Sequence, residues 1–335
     1  MATTPGEVRR EAGIAAIFPY HDAASAVADL RAEALRGLAR DPKSIPPKFF
    51  YDQRGSELFD AICRVPEYYL TRVETDILRH HAGDIAALTG PGAVLVEFGS
   101  GATEKVRLLL DALSPAGYLG IDIAREFVAA ACARLAHDYP WLPVHAATAD
   151  FSKPLALHYP PRDARRLVFF PGSSIGNFTP EESAEFLAQQ RSMVGAGGGF
   201  VIGVDLKKDA HVLHAAYNDA AGVTAAFNLN LLVRMQRELG AQLDIAGFAH
   251  EARYDAAAGR IEMYLVSLRR QSIRIGEHEF GFAAGERLHT ENSYKYSIAE
   301  FQALARRAGY EPVAVWTDAA ARFSVHYLRP AAAGG

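Results

Sequence analysis

From Gly92 to Leu206 the sequence alternates short apolar runs with helical segments, and this alternation limits the possible folds more than any other feature. Val94–Phe98 and Arg166–Phe170 are typical of buried strands, and Arg125–Asp138 has helical periodicity. Such a succession predicts a parallel, doubly wound sheet. Ligands of these sheets bind beyond the carboxyl ends of the strands, so the residues that follow each strand are the candidate site residues.

The rhythm changes after Leu206, where two helical stretches and a strand pair interrupt the alternation and indicate an insertion. The chain then ends in a helix and two strand-like runs, Glu311–Trp316 and Arg322–Leu328, which predict an antiparallel hairpin. A terminal hairpin is typical of the seven-stranded sheet of S-adenosylmethionine (SAM)-dependent methyltransferases and is normally absent from dinucleotide-binding sheets. The predicted fold class is therefore α/β, a Rossmann-like class I methyltransferase with a second, α+β region.

Length and charge exclude several classes of protein. A chain of 335 residues exceeds the usual size of one core, which predicts one large domain with an appendage, or two domains. The formal net charge of −4, without a basic cluster, argues against nucleic-acid and anionic-membrane partners and favours a small substrate. No apolar leader or membrane-length stretch is present, so we expect a cytoplasmic protein, and no protein partner is implied.

Two further sequence features are an N-terminal helix followed by aromatic loops, and a pair of separated cysteines. Residues 22–40 have the spacing of an amphipathic helix, followed by two loops rich in tyrosine. These rings suit packing between helices as well as ligand binding. Cys63 and Cys132 stand apart and outside any paired motif, so neither a disulfide framework nor a structural zinc site is expected, and no metal is predicted.

The turn Gly99-Ser100-Gly101 follows the first strand and precedes a helix, where missing side chains let the backbone approach a ligand. The dinucleotide fingerprint requires a third glycine at the position of Glu104, so a dehydrogenase is disfavoured. Asp122 ends the next strand, about 20 residues further on, at the spacing of a carboxylate that binds ribose hydroxyls. An adenosyl ligand is therefore expected at this edge.

Three further residues complete the expected donor site. Asp150 and Phe151 follow the third strand and suit an adenine amino group and ring face, and Lys105 could reach the donor carboxylate. Taken one at a time, Asp122 and Asp150 would equally suit helix caps, and Lys105 a solvated position. Gly99, Lys105, Asp122, Asp150 and Phe151 form the predicted donor set.

Several longer runs resemble the L-histidine Nα-methyltransferases of ergothioneine biosynthesis. They are Pro46-Pro47-Lys48-Phe49-Phe50-Tyr51-Asp52, Pro66-Glu67-Tyr68-Tyr69, Glu97-Phe98-Gly99-Ser100-Gly101, Ser174-Ile175-Gly176-Asn177, the run from Tyr217 to Asn228, Arg260-Ile261-Glu262-Met263 and Thr290-Glu291-Asn292-Ser293. The resemblance spans nearly the whole chain. Its departures are Leu70, where the family commonly has proline, and Asn292.

The resemblance implies the activity and the domain organisation. It implies trimethylation of the α-amine of histidine to hercynine, with SAM as co-substrate. It implies a substrate-binding domain from residues 20–69 and 207–293, and a methyltransferase domain from residues 70–206 and 294–330.

The resemblance also implies the acceptor site. Asn177 and Tyr217 would bind the substrate carboxylate, and Tyr68, Glu291 and Ser293 would bind the imidazole ring, the combination that separates histidine from apolar amino acids. Tyr51 would lie near the reacting amine and Met263 would wall the ring pocket. Without the resemblance, Glu291 and Ser293 suit a solvated loop and Tyr217 a helix surface.

Methyl transfer to nitrogen requires a neutral amine and aligned atoms, so positioning is expected to supply most of the rate. The proton is expected to leave to water or through Tyr51 and Asn177, which are the candidate catalytic residues. Rival interpretations are a related enzyme acting on another amino acid, a non-catalytic sensor of adenosyl ligands, and a metal enzyme using His211 and His214. The histidine pair lacks further ligands in the sequence.

Overall fold

The computed structural model describes residues 19–22, 29–101, 104–153, 155, 157, 159–161 and 163–332. The strands are β1 (Tyr20–Asp22), β2 (Val94–Phe98), β3 (Gly117–Asp122), β4 (Val144–Thr148), β5 (Arg166–Phe170), β6 (Gly199–Asp205), β7 (Phe248–Asp255), β8 (Arg260–Ser267), β9 (Gln271–Ile275), β10 (His278–Phe282), β11 (Arg287–Tyr294), β12 (Tyr310–Thr317) and β13 (Phe323–Pro330). The helices are α1 (Leu30–Leu38), α2 (Gln53–Ile62), α3 (Tyr69–Thr89), α4 (Glu104–Leu113), α5 (Arg125–Asp138), α6 (Pro180–Val194), α7 (Ala210–Tyr217), α8 (Val223–Leu239) and α9 (Ile298–Arg307).

The central sheet has the strand order β1-β4-β3-β2-β5-β6-β13-β12. Neighbouring strands are parallel from β1 to β6, and β13 pairs antiparallel with both β6 and β12. The predicted parallel sheet with a terminal antiparallel hairpin is confirmed. The short strand β1 extends the seven expected strands by one at the β4 edge, and its last residue, Asp22, is the residue at which the expected helix would have begun.

Helix boundaries agree closely with the sequence where capping signals are strong. Helix α6 begins at a capping box in which Thr179 and Glu182 bond reciprocally, and it has proline at its first position. The predicted helix over residues 22–40 is described only from its Asp29 cap onward, since residues 23–28 lie outside the described part. The long helix α3 was not predicted, and it follows directly on the Tyr68 loop.

The insertion forms a three-stranded antiparallel sheet in the order β11-β8-β7, beside the hairpin of β9 and β10. Of these strands only β7 and β8 were predicted. A register shift interrupts the pairing of β11 with β8 between His289 and Glu291. The expectation that Glu291 and Ser293 suit a solvated loop is wrong, because both lie on β11 and are buried.

Two apolar clusters cover opposite faces of the central sheet. One joins the sheet to α3, to the N-terminal aromatic loop and to the insertion through residues such as Phe50, Phe227 and Leu265. The other lies under α6 and α9. The insertion and the N-terminal segment therefore share a continuous core with one face of the sheet, and their side chains meet beyond the carboxyl end of β5. None of the helices in the described ranges is both long and apolar enough to cross a membrane.

Candidate active site

The glycine turn after β2 is built for close approach of a ligand. Gly99 has a φ of +71°, which favours glycine, and its missing side chain would project into open space. Asp122 at the end of β3 is partly exposed and accepts a hydrogen bond from the Ala124 backbone at 2.9 Å. Burial raises the pKa of its carboxyl to about 6, although backbone N–H groups oppose this. The N-cap of α5 is Ala124 rather than Asp122, so capping does not explain the carboxylate.

Asp150 is already paired with protein groups. Its carboxylate accepts from Lys48 Nζ at 3.0 Å and from the Ser152 backbone and hydroxyl, and these hydrogen bonds lower its pKa against the effect of burial. Lys48 belongs to the aromatic loop of the N-terminal segment. Phe151 packs against Phe98, with ring centroids 5.5 Å apart. The ion pair therefore ties the N-terminal segment to the end of β4, and the adenine contact of Asp150 stays a prediction.

Lys105 contacts a buried carboxylate that the sequence analysis missed. Glu74 of α3 is fully buried and accepts from Lys105 Nζ and, at 3.0 and 2.9 Å, from the Gly172 backbone N–H. Although burial favours the neutral amine, Glu74 raises the pKa of Lys105. Glu74 thus connects the predicted donor set to the loop after β5. The residues Glu74 and Lys105 come from distant parts of the chain, and no sequence motif pairs them.

A cavity beyond β5, partly open to solvent, contains the whole predicted acceptor set. It is lined by Tyr51, Phe59, Ile62, Tyr68, Gly172, Ser173, Ser174, Asn177, Ala216, Tyr217, Thr224, Phe227, Met263, Glu291 and Ser293. The lining comes from three regions that are far apart in sequence, which are the N-terminal segment, the loop after β5 and the insertion. The structure therefore brings Tyr51, Tyr68, Asn177, Tyr217, Met263, Glu291 and Ser293 together. Phe59, Phe227 and Thr224 were not predicted as site residues.

Asn177 is positioned at the cavity by a turn whose backbone packs closely against β11. It ends the single turn Ser174–Asn177, in which a side chain at Gly176 would meet the Tyr294 carbonyl at 2.7 Å. Glycine is required there because the turn lies directly on β11. This contact holds Asn177 and the β11 residues on the same side of the cavity.

Edge-to-face aromatic contacts shape one wall of the cavity. Tyr51 lies 5.7 Å from Phe59, and Tyr68 lies 6.2 Å from Tyr217, measured between ring centroids. Within the described residues the hydroxyls of Tyr51 and Tyr68 have no hydrogen-bond partner. Burial raises the pKa of both phenols well above the ordinary value, and the nearby Glu291 carboxylate adds to the effect. Both hydroxyls therefore stay protonated and available to a ligand.

Glu291 is the most unusual group in the cavity. Its side chain is buried, and no partner among the described residues hydrogen-bonds its carboxylate. Burial raises its pKa to about 7, although the Lys295 charge opposes the shift. Met263 of β8 is its cross-strand neighbour. Asn292, between Glu291 and Ser293, accepts from His289 instead, since successive strand residues face opposite sides.

Replacing Glu291 by glutamine is expected to stabilise the free protein at high pH. A raised carboxyl pKa means that the favourable contribution is full below the unfolded pKa of 4.5 and lost as pH rises through about 7. At pH 8 the ionised side chain therefore costs about 3 kcal/mol, which Glu291→Gln removes. Urea unfolding at pH 8 should show the gain, and unfolding at pH 5 should show little of it. An equal gain at both pH values, or the same gain in the exposed control Glu185→Gln, would contradict the assignment.

Metal ligands do not gather in the described part of the chain, where no group of three or more His, Cys, Asp or Glu side chains is placed to hold an ion. His211 and His214 are exposed on α7. The pair therefore has no third ligand in the described ranges.

The fold and the donor edge define a class I SAM-dependent methyltransferase. The strand order, with its antiparallel β13 inserted between β6 and β12, separates it from dinucleotide-binding enzymes. The residues at the donor edge suit the groups of SAM. The open glycine turn lets the protein backbone approach the ligand, and the partly buried carboxylate of Asp122 can accept hydrogen bonds from ribose hydroxyls.

Comparisons with known proteins define the family more closely. Residues 30–330 match the model of the family described as "Histidine-specific methyltransferase, SAM-dependent", and the chain belongs to that family. It is 42% identical over 312 residues to the histidine N-alpha-methyltransferase of Mycolicibacterium smegmatis, covering 91% of this chain and 96% of that protein. It is 41% identical over 302 residues to the enzyme of the same name from Mycobacterium tuberculosis, covering 88% and 93%. Ergothioneine biosynthesis protein 1 of Neurospora crassa is 33% identical over 285 residues, which cover 82% of this chain and 32% of that protein.

Proposed function

We propose that this enzyme transfers methyl groups from SAM to the α-amine of L-histidine and forms hercynine for ergothioneine biosynthesis. The observation that carries the proposal is the buried, unpaired carboxylate of Glu291 in the cavity beyond β5. An acceptor-only group in such a position needs an N–H donor from its ligand, and imidazole supplies one where the ring of phenylalanine does not. The names of the relatives from Mycolicibacterium and Mycobacterium support the same acceptor.

The substrate carboxylate is assigned to Asn177 and Tyr217, and the imidazole ring to Glu291, Ser293 and Tyr68, with Met263 as its apolar wall. We assign the donor to Gly99, Lys105, Asp122, Asp150 and Phe151. The substrate-binding domain is assigned to residues 20–69 and 207–293, and the methyltransferase domain to residues 70–206 and 294–330. Support for the two proposed domains comes from the cavity, which is lined by residues of both of them.

SAM supplies a methyl group bound to a positively charged sulfur. The protein holds the amine in line with that methyl group and excludes bulk water, which lowers the entropic part of the barrier. The carboxylates of Glu291 and Asp122 are both near enough to Tyr51 to raise its pKa, and Tyr51 lines the acceptor cavity. The raised pKa excludes a phenolate base near neutral pH. Tyr51 and Asn177 therefore orient the amine or pass its proton to water.

The pH dependence separates ring binding from proton removal. The cavity needs the ionised form of Glu291, which appears as pH rises through about 7, so kcat/KM for histidine should increase across that range. The kcat value, measured with histidine bound, should lack this dependence because no residue near neutrality acts as the base. Profiles for histidine and its dimethylated form, measured with wild type and Glu291→Gln, check both points. A neutral pKa in kcat that survives in Glu291→Gln would show a dedicated base and contradict the mechanism.

One mass-spectrometric assay tests the function itself. Incubation with SAM and histidine should give mono-, di- and trimethylated products, with the trimethylated form accumulating. Tryptophan and tyrosine, offered separately at equal concentration, should be methylated far more slowly. Comparable kcat/KM values for either would assign the enzyme to another amino acid, and binding of SAM without any product would favour a sensor.

We further propose that the protein works in the cytoplasm on small molecules alone, without nucleic acid, membrane or a protein partner. The net charge of −4 supports this, since it offers little attraction to polyanions.

A further inference from the structure

Lys295 lies directly behind the proposed acceptor site. It follows β11, and alternation along the chain puts it on the same face as Glu291 and Ser293. Its side chain is fully buried. The ammonium donates to Asp205 Oδ2 at 2.9 Å, to Tyr217 Oη at 2.9 Å and to Ser293 Oγ at 2.8 Å. These three bonds use all three donors of the group.

The charge on this ammonium is stabilised from behind. Asp205, the last residue of β6, is also fully buried and accepts from Tyr69 Oη at 2.8 Å and from Lys208 Nζ at 2.6 Å. Although burial favours the neutral amine, Asp205 raises the pKa of Lys295 above its ordinary range. Lys295 therefore remains a cation, and it acts only as a donor toward Tyr217 and Ser293.

The bonds to Lys295 restrict what the two hydroxyl groups can do. Tyr217 Oη and Ser293 Oγ lie 2.8 Å apart, and both line the acceptor cavity. Since each oxygen already accepts from Lys295, one hydroxyl must donate to the other, and one proton of the pair remains for a ligand. The substrate carboxylate is a stronger hydrogen-bond acceptor than the imidazole ring, so the Tyr217 hydroxyl donates its hydrogen bond to the carboxylate. Ser293 then donates to Tyr217 and keeps a lone pair toward the ring.

We infer that Lys295 is a positioning residue for the substrate carboxylate, which acts through Tyr217 by fixing the direction of its hydroxyl proton and by placing a positive charge behind it. The inference rests on the proposed histidine acceptor and adds a residue to its recognition.

The test compares histidine with histamine, which keeps the ring and the amine but lacks the carboxylate. Dissociation constants are measured by calorimetry with the donor site saturated by S-adenosylhomocysteine. In Lys295→Met the affinity for histidine should fall about 10- to 100-fold, because the Tyr217 hydroxyl loses its fixed direction and the positive charge behind it, while the affinity for histamine should change less than about threefold. Lys295→Gln keeps an N–H donor without the charge, so its affinity for histidine should lie between those of wild type and Lys295→Met. An equal loss of affinity for histidine and histamine, in a variant that still binds S-adenosylhomocysteine, would overturn the inference.

Tyr217→Phe keeps the experiment decisive if both lysine variants fail to fold. It leaves the Lys295–Asp205 pair intact and should by itself reduce the preference for histidine over histamine, because Lys295 is inferred to act through the Tyr217 hydroxyl. Where Lys295→Met does fold, adding it to Tyr217→Phe should reduce that preference little further. An unchanged preference in Tyr217→Phe would overturn the inference. If wild type does not bind histidine at all, the proposed function fails first. If it binds histidine and Lys295→Met keeps the preference, only the role of Lys295 is wrong.

Discussion

Glu291→Ala should weaken histidine binding about 10- to 150-fold and leave donor binding nearly unchanged. The replacement removes the one carboxylate among the described residues that line the cavity, and a hydrogen bond to a charged group contributes about 1.5–3 kcal/mol. Donor binding is spared because the donor edge lies at the ends of β2, β3 and β4, whereas Glu291 lies on the insertion. Calorimetric titration with histidine and, separately, with S-adenosylhomocysteine measures the two effects.

Asn292→Ala is the matched control for this variant. It truncates the next residue of the same strand, whose side chain bonds His289 rather than facing the cavity, so histidine affinity should change less than about threefold. Equal losses of histidine and S-adenosylhomocysteine in Glu291→Ala would count against a separate ring pocket. So would a similar loss of histidine affinity in Asn292→Ala.

The sequence was most informative where short-range rules decide the structure. Strands β2 and β5 and helix α5 have the predicted bounds, because apolar runs and helical periodicity specify them locally. The position of the donor edge stays a prediction, which rests on the rule that ligands bind beyond the carboxyl ends of parallel strands. The acceptor residues could not be derived in this way. They came from a family resemblance, because three distant segments meet only in the folded chain.

What the sequence missed is mostly long-range. Strand β11 was missed because its polar residues, among them Glu291 and Ser293, give it the composition of a loop, yet pairing with β8 buries them. Tyr217 also suited a helix surface, because nothing local in the sequence shows that this last residue of α7 is buried. The buried ion pairs of Glu74 and of Asp205 join residues whose partners no local pattern identifies. Buried charges of this kind mark candidate functional sites in a folded protein.

Glu74→Leu should destabilise the protein by about 3–5 kcal/mol, the largest stability effect that we expect from a single change at the site. The variant leaves the Lys105 ammonium without its buried partner and the Gly172 N–H without an acceptor, and removing one member of a buried pair costs far more than the pair itself contributes.

Combining Glu74→Leu with Lys105→Met should recover part of the lost stability, because the uncompensated charge is then absent. Asp76→Ala, which breaks an exposed ion pair with Arg79 on the same helix, should cost less than about 1 kcal/mol. Urea unfolding of wild type and the three variants at one pH decides the matter, and a Glu74→Leu loss as small as that of Asp76→Ala would mean that Lys105 finds another partner or leaves the interior. Because Glu74 connects the donor edge to the loop after β5, the same variant should also weaken S-adenosylhomocysteine binding, whereas Asp76→Ala should not.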